Sequence, residues 1–307
     1  MRTPIDTLKD RIRGFLLRAV RDGVSISNDS AYGKESLADI KQSLDSLRST
    51  VMMAAQDFAL YRHFVEDVRN SNEYDFAYTV SDPKVSIIVP THRAPEVMWN
   101  RTLPSLIKQT HSNLEIIISI DGNYSAIFPS VLERVAHIKD ERIRVICAPP
   151  QPLHFPETQN FSVDNKTQFQ WFSSGNGPYN FASDLAAGHW IAPFSHDDEL
   201  DETAIEAVLA HVKKTELEYC YAPMRRLDPA GVTTLNFSFP PEMYHFGVQG
   251  SLLHSALRFF KYEYRDAAFG IPNDWGFVRT MMLSGVKVGA YDHPVSNYYP
   301  NQLFKND

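Results

Sequence analysis

VSIIVPTHR, Val85 to Arg93, decides how the chain is read. A short apolar run stops at Pro90 and gives way to Thr91, His92 and Arg93, the pattern of a buried strand whose end meets water. Similar runs recur at LEIIISID (114–121) and IRVICAP (143–149), with helical patterns between them at 95–110 and 127–138. Strands alternating with helices signal an α/β domain with a mostly parallel sheet flanked by helices. Further on, the pattern predicts a helix over Asn180–Ala187, a strand in HWIAPF (189–194) and a helix over Glu202–Lys214. Two antiparallel strands are expected in EYCYAPMRRLD and VTTLNFSF, and a last helix over Asn273–Ser284, before a polar, aromatic tail. Between 150 and 178 lies a long irregular segment rich in Pro, Gln, Asn, Ser and aromatic residues. Loops of that length in compact domains go with function or mobility.

Upstream of Pro83 the texture differs. Ile5, Leu8, Ile12, Phe15, Leu16 and Ala19 recur at helical spacing, and a second amphipathic stripe runs from Ile40 to Tyr61 within a helix expected over Leu37–Arg69. The division expected is therefore a helical N-terminal extension, 1–80, and an α/β domain, 81–307. The first helix is basic in an acidic protein. Its plainest reading is packing onto the domain or, through residues 1–69, onto a second copy as a homodimer. A peripheral contact with an anionic membrane surface is the sharper one.

The chain of 307 residues carries a net charge of −7, which argues against nucleic acid as a partner. Cys147 and Cys220 both lie in apolar runs and read as buried strand thiols, so neither a disulfide framework nor a zinc cluster is expected. There is no signal-peptide pattern at the N-terminus and no apolar run near the ~20 residues that span a bilayer. The expected location is the cytoplasm, or peripheral to the inner face of the membrane.

In an open α/β sheet, ligands bind outside the carboxyl ends of the strands. There stand Pro90, Thr91, His92 and Arg93; Asp121 and Gly122; and Ser195, His196, Asp197 and Asp198 after WIAPF. Any one of these acids reads as a helix cap or turn residue. Together they suit Mg²⁺ or Mn²⁺, hard cations that bridge carboxylates to phosphates. No glycine-rich phosphate loop is present; GNG (175–177) is too short to serve as one.

VSIIVPTHR, then EIIISIDG, then NFASDLAAGHWIAPF, then SHDDEL, then NDWGFVRTMMLSGVKV resemble, in this order, family 2 glycosyltransferases of the GT-A fold, over about residues 83–300. The resemblance implies a metal-dependent, inverting transfer of a sugar from a UDP- or dTDP-sugar to a glycan, glycolipid or other hydroxyl acceptor, at the family level in polysaccharide biosynthesis. Carried over residue by residue, Pro90 and Thr91 line the nucleoside pocket, with Arg93 towards a phosphate and Asn180 also on the donor side. Asp121 meets the nucleobase. Asp197 is the metal ligand with Asp198 in support, and Asp274 is the general base. Ile120, Ser195 and Asn273 stand where the family has acids. For the acceptor side the candidates are Trp275, His254 and Trp171. Tyr298 and Tyr299 are placed over the donor. Two other readings stay open: a catalytically weak or inactive binding or scaffold protein on the same fold, and a metal phosphohydrolase using the His-Asp pair.

Overall fold

A run of β-branched and other apolar residues that is buried on both faces belongs in the middle of a parallel sheet, and β1 (Val85–Thr91) takes that place. A computed structural model describes residues 57–151, 165–228, 231–234 and 237–300 of the protein. In it β1 lies between β2 (Leu114–Ile120) and β4 (Trp190–Pro193), parallel to both, with Thr91 opposite Ile120 and Ile88 opposite Pro193. β3 (Ile143–Cys147) extends the sheet beyond β2. On the other side follow β9 (Leu252–His254), β6 (Tyr219–Tyr221) and β10 (Val288–Ala290), giving the order β10-β6-β9-β4-β1-β2-β3. Only β9 runs against its neighbours. Alternate residues feed opposite faces: Val85, Ile87 and Val89 enter one core with Ile116 and Ile118, whereas Ile88 and Ile117 enter the other.

A second sheet has four strands in the order β5-β11-β7-β8. It comprises β5 (Glu199–Leu200), β7 (Met224–Asp228), β8 (Gly231–Thr234) and β11 (Ser296–Tyr298). The sequence EYCYAPMRRLD therefore serves two sheets. Its first part is β6, in the main sheet; only Met224–Asp228 forms the expected antiparallel pair with β8. The strands missed by periodicity, β9, β10 and β11, are three residues long, too short for a period of two to register.

Most helices fall near their expected places: α3 (Phe128–Ile138), α5 (Asn176–Leu185), α6 (Ala204–Thr215) and α8 (Asn273–Leu283). The helix expected over 95–110 is instead a π-helical turn, Met98–Thr102, running into a short α2 (Leu103–Ile107). The irregular segment contains α4 (Asn165–Phe172), which meets α7 (Tyr264–Ala268). No helix among the described residues is long and apolar enough to cross a membrane. Cys220 is buried as expected, whereas Cys147 is only half-buried.

One compact unit runs from Phe58 to Asp307. Residues 57–69 are helical, and α1 (Asn72–Thr79) is capped by the Ser71 hydroxyl. Both are tied to the sheet by Glu218, whose buried carboxylate accepts from Arg69 (2.6 and 2.7 Å), the Tyr74 hydroxyl (2.7 Å) and the Lys287 amide (2.7 Å). The first stripe and most of the second, including the proposed membrane or homodimer surface, lie outside the described residues. Burial pushes the Glu218 carboxyl up, but its donors outweigh burial and hold it below its ordinary value of 4.5. Its stabilisation is thus present above pH 4.5 and is lost as pH falls through the lower folded value. Glu218→Ala strands a half-buried guanidinium and is expected to cost about 3–5 kcal/mol in chemical denaturation.

Gly122 shows why the turn after β2 is glycine. A Cβ there would lie 2.2 Å from the Ala148 carbonyl oxygen and 2.4 Å from the Pro150 nitrogen, both main-chain atoms. Gly122→Ala is expected to lose about 3 kcal/mol, read as a lowered denaturation midpoint with unchanged slope.

Candidate active site

Side-by-side parallel strands bring their carboxyl ends to one edge. The Asp121 amide donates to the Thr91 carbonyl (2.8 Å) and the Phe194 amide to the Ile88 carbonyl (2.9 Å), so the turns after β1, β2 and β4 are knitted together. His196 Nδ1 reaches the Pro90 carbonyl at 3.2 Å; because that oxygen only accepts, Nδ1 carries the proton. The His196 ring lies 5.7 Å from that of His92, which lies 5.3 Å from Tyr124. Burial first, and then the neighbouring cations, hold His92 below the ordinary histidine value.

Asp121 begins a turn, its Oδ1 accepting from the Asn123 amide (2.9 Å), and it also faces the strand-end edge. Its charge raises the Tyr264 hydroxyl, after burial, which places α7 near it. Asn123 donates to the Gln151 carbonyl (3.1 Å), and a Cβ on Gly177 would meet both Gln151 and the Tyr264 hydroxyl. Asp121, Tyr264 and Gly177 thus frame one side of the edge.

Asp197 and Asp198 are both buried but held differently. The Ser195 hydroxyl donates to Asp197 Oδ1. Asp198 Oδ1 accepts from the Tyr299 amide (3.2 Å), and its Oδ2 is buried without a hydrogen-bond partner. Burial, then the charge of Asp197, pushes the Asp198 carboxyl well above the ordinary range. An acid with an orphaned oxygen, beside a second acid, fits a divalent cation on the side of Asp197. Among the described residues no three His, Cys, Asp or Glu side chains form a complete metal cluster.

Asp274 stands in the first turn of α8, its Oδ1 accepting from the Trp275 amide (2.7 Å). Burial raises its carboxyl to about 6. Asn273 anchors this helix start: its Nδ2 donates to the Ser174 carbonyl (2.9 Å) and to Asn176 Oδ1 (2.7 Å). Gly175, next in line with φ +79°, lies against Pro90, where a Cβ would come 3.3 Å from the proline Cβ. Pro90 therefore sits between the aspartate turn, through His196, and the Asp274 helix, through Gly175 and Asn176.

Not every expected residue joins this edge. Asn180 spends its amide on the main chain of Tyr262, donating to the carbonyl (2.9 Å) and accepting from the amide (3.0 Å). Thr91 is buried, and its hydroxyl closes the turn to Ala94 (2.9 Å). His254 is a correction: it pairs with Trp190 at the amino end of β4, away from the site, because β9 runs backwards. Its ring is buried among Tyr74, Tyr78 and Trp190, with both nitrogens bonded to main chain. Arg93 is exposed, Trp171 is 57% exposed on α4, and Trp275 meets Phe246 at 6.1 Å beside Asp274. Tyr299 does not hang free over the site; Arg101 covers its ring. Arg101, Thr102 and Tyr264 were not legible as site residues, because nothing local in sequence marks a side chain that reaches another strand's turn.

No curated protein matches the chain. Structures of S. aureus TarS do, as folds: TarS 1–349 in complex with UDP (TM-score 0.51, 15% identity, 70% of this chain and 60% of that one) and in complex with UDP-GlcNAc (TM-score 0.52, 14% identity, 70% and 58%). The chain thus spans less than two thirds of those relatives' length. Residues 86–149, from β1 through the turn after β3, match the sequence model described as Glycosyl transferase family 2. That match lies on the strands that build the edge, so residues 86–149 are similar to glycosyltransferase family 2, and the sheet around them has the mostly parallel GT-A fold of the TarS structures.

Proposed function

We propose that the protein transfers a sugar from a nucleoside-diphosphate sugar to a hydroxyl acceptor with inversion, using Asp274 as general base. The observation that carries the reading is the gathering on one edge of Asp121, the Asp197–Asp198 pair and a carboxyl raised to about 6. The base of the donor lies against His92 and Tyr124, with Asp121 accepting from its ring edge and Pro90 beside it. The complexes of the TarS neighbours with UDP and UDP-GlcNAc favour uridine.

Asp197 and Asp198 would hold a divalent cation, Mg²⁺ or Mn²⁺, shared with the diphosphate; when bound it neutralises charge on the leaving group. Ser195 keeps the Asp197 carboxylate turned by its hydrogen bond. Asp274 accepts the acceptor hydroxyl's proton as that oxygen attacks the anomeric carbon and the nucleoside diphosphate departs. Asn273 fixes the helix on which Asp274 rides. The acceptor approaches past Trp275 and Phe246, the aromatic side of Asp274; a glycan is the class that aromatic faces suit.

The scaffold reading rests on the absent acids at Ile120, Ser195 and Asn273. Two of those positions do other work here: Ser195 orients Asp197, and Asn273 anchors α8. Calorimetry separates the readings. UDP is expected to bind only with Mn²⁺ or Mg²⁺ present; absence of binding by any nucleoside diphosphate in either metal would overturn the transferase reading.

A further inference from the structure

We infer that Arg101 is a positioning residue of the donor site, clamping the two-aspartate turn from outside; the purpose of the clamp rests on the transferase reading above. It begins with the π-helical turn Met98–Thr102, in which the Leu103 amide reaches back to the Met98 carbonyl, five residues away. One residue more than an α-turn is wound in, a device common at functional sites. In a regular helix, neighbours 101 and 102 point in directions ~100° apart. Here both reach one turn and hold adjacent carbonyls: Arg101 Nη1 donates to the Asp197 carbonyl (3.2 Å) and Thr102 Oγ1 to the Asp198 carbonyl (2.7 Å).

The same guanidinium lies 3.6 Å from the centroid of the Tyr299 ring. Tyr299 in turn gives its amide to Asp198 Oδ1 (3.2 Å) and its hydroxyl to Glu199 Oε2 (3.0 Å), while Asn297 Nδ2 donates to the same oxygen (2.8 Å). β11 completes the frame by pairing with β5, Asn297 opposite Glu199. Residues 197, 198 and 199 are thus each gripped by the π-turn, by β11 or by both, and Arg101 is the group that touches the two sides. Loss of the clamp leaves Asp197 in place chemically but frees its main chain to turn.

The test compares Arg101→Ala, Arg101→Lys and Arg144→Ala in the full chain. Arg144 is the control: it pairs with Glu115 (2.9 Å) at the start of β2, away from the π-turn and the aspartate turn. Hydrogen exchange without ligand reads the clamp directly. In Arg101→Ala the amides of Leu200 and Tyr299 are expected to exchange about tenfold faster, the scale of a desolvated cation–π contact. Lysine, which keeps the charge without the planar fork, falls between. Affinity for UDP with Mn²⁺ is expected to drop about tenfold in the alanine variant and to recover in part in the lysine variant. The control changes neither. Unchanged exchange in Arg101→Ala, or a uniform acceleration throughout the chain, overturns the clamp. Failure of the wild type to bind UDP with Mn²⁺ counts against the transferase reading alone, since the exchange arm still decides the clamp.

Discussion

Asp197→Ala is expected to lower turnover about a thousandfold, the rate equivalent of roughly 4 kcal/mol, and to abolish metal-dependent UDP binding. The reason is positional. Of the two acids at the turn, Asp198 is engaged by the Tyr299 amide and raised by burial, so its charge is expensive to create. Among the described residues Asp197 has the Ser195 hydroxyl on its carboxylate, and it is the acid we propose to meet a cation. Asp197→Asn keeps the shape and the hydrogen bond but removes the charge, and is expected to behave like alanine in the metal titration while leaving the fold intact. Ser195→Ala should cost far less, because it loosens the carboxylate without removing it. The measurement is UDP calorimetry across a Mn²⁺ series, beside donor turnover. An Asp197→Ala protein that still needs Mn²⁺ and turns over at the wild-type rate would remove the assignment.

Asp274→Asn is expected to cut turnover by about 10²–10⁴ while leaving the affinity for UDP and Mn²⁺ unchanged. The pH profile of the wild type gives the same information without mutation. With the carboxyl raised to about 6, kcat/KM should fall as pH drops through 6, since the protonated acid accepts nothing. The stability arm runs the other way. A carboxyl raised in the folded state favours folding fully below its ordinary value of 3.8 and loses that contribution as pH rises through about 6. At pH 8 the ionised group is therefore a burden of order 2 kcal/mol, and Asp274→Asn should melt higher than wild type there. The difference should shrink as pH falls below 6. A variant that is both more stable at pH 8 and inactive identifies a carboxylate kept buried for chemistry. One that is less stable and fully active identifies an ordinary helix-start acid.

The central sheet was legible because its strands are long and apolar on both faces. VSIIV and EIIISI can be little else, and the residues that follow them mark the edge where chemistry belongs. The positions of Asp121, just after β2, of Asp197, four residues beyond β4, and of Asp274, in the first turn of α8, follow from the same pattern; their roles are those proposed above. What escaped was whatever depends on direction or on distance in sequence. LLH, residues 252–254, contains nothing to say that it runs backwards, so His254 was placed on the acceptor side when its strand carries it to the opposite edge. Asn180 reads as a polar residue at a helix start, yet both ends of its amide pair with the main chain of Tyr262, 82 residues on. The π-turn was invisible because a single wound-in residue alters the apolar spacing too little to detect. That one residue decides where Arg101 points.

The pairing of β5 with β11 also has a consequence for biosynthesis. The aspartate turn at 197–199 is finished by residues 297 and 299, about a hundred positions later. On the ribosome, the strands that carry β1, β2 and β4 emerge and can pair long before Asn297 and Tyr299 exist. A nascent chain can therefore hold a nearly complete sheet and still lack a formed donor site. On the proposed reading, the donor site forms only once residues 297–299 have been made, however early β1, β2 and β4 have paired.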